Sequence, residues 1–294
     1  MSALRGARIL VTGGSGFLGG PIIQQLVGAG AEIHLFARET ADLSRLLTRP
    51  GLFERHDGDL RTYSTVRRAV EKSAPDLVIH LAAAGVTDPF LPAQTALRHN
   101  LHGTLHLLRA VRSNAKMILA RTPGERSAMN VYSASKAAVW QFARMYARTE
   151  GFPIQGVMPF QVYGPGQPNR HVIPSAIRSA LSGEDFAMTP GTQVRDWVYV
   201  EDVARGFRQS AVQGSFDGRT VELGTGAGTS LLSVIERIYA MIERGGRPLP
   251  GRLPARPGEA PEQVAGAAAT EQSIGWRARV PLDEGLRRVI VSLS

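Results

Sequence analysis

The sequence predicts an α/β protein: a doubly wound parallel sheet, with a smaller C-terminal part built over one edge. Three observations carry this. Short apolar runs alternate with helix-length amphipathic segments from residue 1 to about 160, a glycine-rich turn joins the first run to the first helix, and beyond Tyr163 the texture changes to Gly and Pro turns between shorter periodic segments. Strands alternating with helices imply parallel pairing with both sheet faces covered.

Taken in order, Arg8–Thr12 is a short buried strand, and 17–28 is a helix with Phe17, Leu18, Ile22, Leu26 and Val27 inward. Glu32–Ala37 is the second strand. The third is expected at 53–57, the fourth at 76–83, the fifth at 117–120 and the sixth at 154–158, with helices between them that include 93–112 and 133–150. The stretch 245–261, rich in Gly, Pro and Arg, reads as loop. No internal repeat is visible.

Composition removes several function classes. The 294 residues contain no cysteine, so disulfides, thiolate metal sites and a cysteine nucleophile are excluded. No apolar run approaches the roughly 18 residues that span a bilayer, and Arg5 and Arg8 lead straight into a strand without a signal-peptide block. A cytoplasmic protein without a membrane partner is expected. The net charge of +9 invites a nucleic-acid reading, but the basic residues are scattered among acids and apolar residues. No nucleic-acid partner is expected, although a phosphate-bearing small substrate would use a few of those cations.

Between the first strand and helix lies Thr12-Gly13-Gly14-Ser15-Gly16-Phe17-Leu18-Gly19. Glycine permits the tight turn, lets backbone N–H groups approach a pyrophosphate and lets the helix pack closely on the strand, while the helix N-terminus favours negative charge. The sheet is therefore expected to be of the Rossmann type, with NAD or NADP on Gly13, Ser15, Gly16, Phe17, Leu18 and Gly19. The second strand ends Ala37-Arg38 with no acid until Glu39, which leans towards NADP with Arg38 on the 2′-phosphate.

Tyr132 stands four residues ahead of Lys136, one of only three lysines among 34 basic residues. On a helix that spacing puts phenol and ammonium on one face, where the cation can make the phenol a better proton donor and acceptor. His99, His102 and His106 show a spacing reminiscent of metal ligands but lack a matching carboxylate, so they read as a polar stripe and no metal site is expected.

These residues resemble the extended short-chain dehydrogenase/reductase family, the nucleotide-sugar epimerases, dehydratases and 4-ketoreductases. The resemblance covers nearly the whole chain. It is carried also by Asp59-Leu60, His80-Leu81-Ala82-Ala83, Asn100-Leu101-His102-Gly103-Thr104, Val162-Tyr163-Gly164-Pro165-Gly166-Gln167, Arg195-Asp196-Trp197-Val198-Tyr199-Val200-Glu201-Asp202, Leu223-Gly224-Thr225-Gly226, Arg256-Pro257-Gly258-Glu259 and Ile274-Gly275-Trp276.

The resemblance implies an NAD(P)-binding domain over 1–163, rejoined by 196–224, and a nucleotide-sugar-binding part from 164–195 and 225–294. It implies that Asp59 and Leu60 hold the adenine, and that Leu81, Ala82, Ala83, Asn100 and Pro159 line the cofactor groove. Tyr132 would carry the proton, and Lys136 would hold the nicotinamide ribose while lowering the tyrosine's pKa. Arg195 and Arg256 would grip a diphosphate, with Gln161 and Val172 near the substrate, and Asp196 would anchor its loop. A homodimer through 93–112 and 133–150 is likewise implied.

The family's hydroxyl partner normally precedes the tyrosine by well over a dozen residues. Here Thr122 comes ten residues before Tyr132, with Ser127 as a second choice, and the dehydratases' Asp-Glu pair is missing: Pro123, Gly124 and Glu125 follow instead. The expected activity is NADPH-dependent reduction of a nucleotide-linked 4-keto-6-deoxysugar. A 4-epimerase retaining NAD is the alternative, and a cofactor-binding protein without turnover a second.

Overall fold

The computed structural model describes residues 3–294 except 45, 47–50, 87, 89 and 112–114. Its frame begins with β1 (Arg8–Thr12), α1 (Gly19–Gly28), β2 (Glu32–Ala37), β3 (Glu54–Asp57), α2 (Tyr63–Ser73) and β4 (Leu77–His80). α3 (Ala93–Ala96) runs through a π-helical turn, Leu97–His102, into α4 (Gly103–Val111). β5 (Lys116–Ala120), α5 (Val131–Glu150) and β6 (Ile154–Pro159) follow.

The second half supplies β7 (Gln161–Tyr163), α6 (Val172–Leu181), β8 (Phe186–Ala187), β9 (Val194–Arg195), β10 (Trp197–Tyr199), α7 (Val200–Gln213) and β11 (Asp217–Leu223). β12 (Thr229–Ser230), α8 (Leu231–Ile242), β13 (Pro248–Leu249), β14 (Glu262–Gln263), α9 (Ala267–Ile274) and α10 (Leu282–Leu293) complete it.

Seven parallel strands form the main sheet in the order β11-β6-β5-β4-β1-β2-β3. Chain order reverses between β1 and β4, and at such a switch point a crevice opens beyond the carboxyl ends of the strands. The central strands read as continuous apolar runs because both faces are covered. On one face Ile9, Val11, Leu35 and Ile79 pack with Ile22, Ile23 and Leu26 of α1 and Val203 and Phe207 of α7. On the other, Leu10, Val78 and Met117 pack with Val66, Leu107, Leu108 and Trp140 of α2, α4 and α5.

A further core gathers Ile173 and Ile177 of α6, Val234, Ile235 and Ile238 of α8 and Leu286 and Val289 of α10 around Tyr163, Trp197 and Tyr199. Tyr163 is fully buried and donates to Leu282 O at 3.2 Å. A Cβ on Gly285 would sit 2.1 Å from the Tyr163 hydroxyl, so glycine is what lets α10 lie there.

Some boundaries differ from expectation. α1 starts at Gly19 rather than at 17, because the glycine loop turns as far as Leu18. The helix expected at 93–112 is interrupted by the π turn, and Arg112 lies outside the described residues. The fourth strand stops at His80, and α5 begins at Val131, with Asn130 Oδ1 accepting from Ser133 N at 2.8 Å. Within 245–261, β13 is the one regular element among the described residues.

Candidate active site

The glycine loop lies at the switch point. Gly13 has φ +74°, and a Cβ there would meet Ala82 N at 2.5 Å; one on Gly19 would meet Gly14 O at 2.1 Å. The loop is therefore pressed onto the backbone after β4 on one side and into α1 on the other. Gly16 N donates to Gly13 O and Gly19 N to Gly16 O, while the N–H groups of Ser15, Phe17 and Leu18 donate to no described residue. Orphan donors at a helix N-terminus, in a cradle too tight for side chains, fit a pyrophosphate.

Thr12, at the end of β1, starts a buried polar chain. His80 Nδ1 lies 2.6 Å from Thr12 Oγ1 and Nε2 2.9 Å from Thr104 Oγ1, which itself donates to Asn100 O at 2.6 Å. The Thr104 proton is thus committed, so His80 carries its hydrogen on Nε2 and accepts from Thr12. Burial pushes its pKa down to about 3, and Lys136 adds to the effect.

Asn100 ties α5 to the loop after β4. Its Oδ1 accepts from Ala84 N at 2.7 Å, and its Nδ2 donates to Ala84 O at 3.0 Å and to Ser135 Oγ at 2.9 Å. Ser135 Oγ in turn donates to Tyr132 O at 2.7 Å. Asn100 is 1% exposed, so it orients the Tyr132 segment from beneath rather than facing the groove.

The shortened segment before Tyr132 closes as a 3-10 turn, Pro123–Arg126, with a capping box at its start: Thr122 Oγ1 accepts from Gly124 N, and Glu125 Oε1 accepts from Thr122 N at 3.0 Å. Arg121 binds Glu125 Oε2 through Nε at 2.9 Å and through Nη2 at 2.6 Å, donates to Thr220 Oγ1 at 2.7 Å and stacks on Trp140. Arg126 pairs with Glu222. Ser127, the second hydroxyl candidate, is exposed and faces Gly124 O.

Glu125 reaches both members of the Tyr-Lys pair electrostatically. Lys136 is buried, and burial brings its ammonium down to about 8 against the pull of Glu125, with Arg121 lowering it further. Tyr132 departs from expectation. Desolvation is the main cause that pushes its phenol above the ordinary value, Glu125 acts the same way, and Lys136 is not among the groups that shift it. No described residue hydrogen-bonds the Tyr132 hydroxyl or the Lys136 ammonium, which leaves both open to a ligand.

At the outer end, Asp59 is already engaged. Arg61 binds both carboxylate oxygens, with one contact of 2.6 Å, and holds the acid at about 2. Leu60 O faces His106 Nδ1 at 2.8 Å. His102 is exposed, and the π turn changes the helical phase within His99, His102 and His106, so the three do not converge. Arg38 is exposed at the β2 tip and forms no ion pair with a described residue.

Over the carboxyl edge, Pro159 is buried at the end of β6, and Leu81, Ala82, Ala83, Gln161 and Val172 are half-buried. Arg195 is 7% exposed, donating to Glu259 Oε1 and to Val194 O at 2.8 Å each. Arg256 is exposed. The Asp196 carboxylate accepts from Thr225 N and Oγ1, Gly226 N and Ala265 N, which ties three loops together. Sequence reasoning missed the Arg121–Glu125 pair and the Glu259 contact. The capping pattern Thr122-x-x-Glu125 was the available signal for the first.

A family model described as the NAD dependent epimerase/dehydratase family matches residues 9–224. A probable dTDP-glucose 4,6-dehydratase from Sinorhizobium fredii (strain NBRC 101917 / NGR234) is 29% identical, covering 96% of this chain and 91% of its own. The UDP-glucose 4-epimerase GEPI42 of Cyamopsis tetragonoloba is 28% identical over 96% and 93% of the two chains. Among solved structures, the Thermus thermophilus UDP-glucose 4-epimerase in complex with NAD superposes with a TM-score of 0.84 at 27% identity, covering 97% of this chain and 98% of its own.

Proposed function

Because this chain belongs to the NAD-dependent epimerase/dehydratase family, among the nucleotide-sugar enzymes of the extended short-chain dehydrogenase/reductases, we propose that it reduces a 4-keto group on a nucleotide diphosphate sugar with NADPH. The observation that carries this reading is Glu125. Locked between Arg121 and the Thr122 N–H, it is not free to serve as the acid or base of a dehydration. Beside Tyr132 it helps keep the phenol protonated, the form that donates a proton to a developing alkoxide.

The loop 13–19 would hold the pyrophosphate, and Arg38 the 2′-phosphate. NADPH supplies the hydride when bound. Thr122 would polarise the carbonyl, Tyr132 give up the proton from its hydroxyl, and Lys136 hold the ribose and offset negative charge on the phenolate. Arg195, released from Glu259, and Arg256 would take the diphosphate, with 164–195 and 225–294 as the sugar-nucleotide part beside Gln161 and Val172.

A 4-epimerase is the second reading, supported by the 4-epimerase relative that is 28% identical over 96% of the chain. Protein denatured after purification and assayed for released dinucleotide separates the two. An empty protein that oxidises NADPH with a dTDP-4-keto-6-deoxysugar supports the reductase. Stoichiometric NAD with interconversion of nucleotide hexoses overturns it in favour of the epimerase, and cofactor binding without turnover on either panel overturns both.

A further inference from the structure

Strand register gathers three ligand-type side chains on the β2–β3 edge, none of them used by the site above. β2 and β3 pair in parallel with His34 opposite Glu54 and Phe36 opposite His56. Side chains two apart on a strand share a face, so His34, Glu54 and His56 project together. His34 Nδ1 lies 3.0 Å from His56 Nε2; Glu54 Oε2 is 3.5 Å from that His34 nitrogen, and Oε1 is 3.7 Å from that His56 nitrogen. The same nitrogen of each ring therefore faces both partners. They are the one group of its kind among the described residues, with all ligand atoms within 4.8 Å of one another.

We propose that His34, Glu54 and His56 bind a divalent transition ion of the zinc class, which clamps strand β3 onto β2. In a tetrahedral site with bonds of ~2.0–2.1 Å, neighbouring ligand atoms stand roughly 3.3 Å apart. The two ring nitrogens are 3.0 Å apart, and a different Glu54 oxygen faces each of them at 3.5 and 3.7 Å, so a small turn of the exposed carboxylate brings one oxygen to both. Two imidazoles and one carboxylate suit such an ion and leave a fourth position for water. His34 and His56 are buried, at 8% and 6% exposure, while the Glu54 side chain is 64% exposed, so the ion has a buried floor and an open entry. In the metal-free protein one ring donates its N–H to the other. Binding requires that this proton leave the shared contact and that both ring lone pairs turn towards the ion.

The clamp falls where the sheet most needs it. β3 has four residues and lies at the end of the strand order, held by β2 on one side only. An ion that binds only the folded chain stabilises it in proportion to the logarithm of its concentration.

Tag-free, chelator-treated protein titrated calorimetrically with Zn²⁺ alone should take up one ion per chain, and its melting temperature should rise with Zn²⁺. Co²⁺ should give the intense visible bands of a tetrahedral site. Glu54→Gln changes an exposed group, leaves the buried pair in place and should weaken binding roughly tenfold or more. His56→Asn should abolish it. Absence of stoichiometric binding in the wild-type chain overturns the proposal, as does binding that survives Glu54→Gln undiminished. If His56→Asn does not fold, the Glu54→Gln titration decides by itself.

Discussion

Replacing Lys136 with methionine is expected to stabilise the fold while removing a group that the proposed chemistry needs. The side chain is 4% exposed, and burial brings its pKa from 10.5 to about 8. Each pKa unit corresponds to about 1.4 kcal/mol, so the native state holds this charge at a cost on the order of 3 kcal/mol below pH 8. The native pKa lies below the unfolded one. Between pH 8 and 10.5 the unfolded chain therefore binds a proton that the native chain does not, and stability rises with pH through that window. Urea unfolding at pH 7 and pH 10 reads the effect. Wild type should gain about 2.5 kcal/mol relative to Lys136→Met, and the variant should be the more stable protein at pH 7, since Arg121 still neutralises Glu125. Lys72 and Lys116 are exposed and common to both proteins, so the difference isolates position 136. Equal pH slopes, or a less stable variant at pH 7, would refute the reasoning.

Tyr132→Phe should cut turnover by roughly 10²- to 10⁴-fold while NADPH binding, followed by fluorescence, persists; an undiminished rate would sink the proton-donor role. His80, held neutral down to about 3, contributes stability that is complete above pH 6.5 and is lost at up to about 1.4 kcal/mol per pH unit as pH falls through the window towards 3. Urea unfolding between pH 6.5 and 5 should show a shallower slope for His80→Gln than for wild type, and identical slopes would contradict the buried neutral imidazole. Gly13→Ala puts a side chain at φ +74° and 2.5 Å from Ala82 N, so it should cost about 1–3 kcal/mol in unfolding experiments and weaken dinucleotide binding. Wild-type affinity and stability in that variant would show that the loop does not approach the β4 backbone as described.

The strands of the main sheet were legible where both faces are covered. Arg8–Thr12 and Glu32–Ala37 form as read, because a parallel buried strand is a plain apolar run. β11 was harder to see. It lies at the sheet edge with polar residues interleaved, and only its pairing with β6 makes it a strand. Tyr132 and Lys136 could be found because their relation is local, one turn of one helix. Glu259 on Arg195 joins residues 64 apart, and His34 with His56 depends on a register that two separate runs do not display. The direction of the Tyr132 shift was misjudged for a similar reason: spacing reports a neighbouring cation but not the desolvation that outweighs it.

The π turn at Leu97–His102 makes chain length, rather than residue identity, the constrained quantity there. One extra residue in the turn is what lets Asn100 face inward to Ala84 and Ser135 while Leu107 and Leu108 keep their places in the core beyond it. Removing any single residue from the turn would restore an ordinary helix and swing everything before it by about 100° about the axis. Asn100 would then point away from the loop after β4, and the Tyr132 helix would lose its anchor although Tyr132 and Lys136 themselves had not changed. Insertions and deletions in these six positions should therefore be far less tolerated than substitutions on their exposed side, where Leu97, Arg98 and His102 meet solvent.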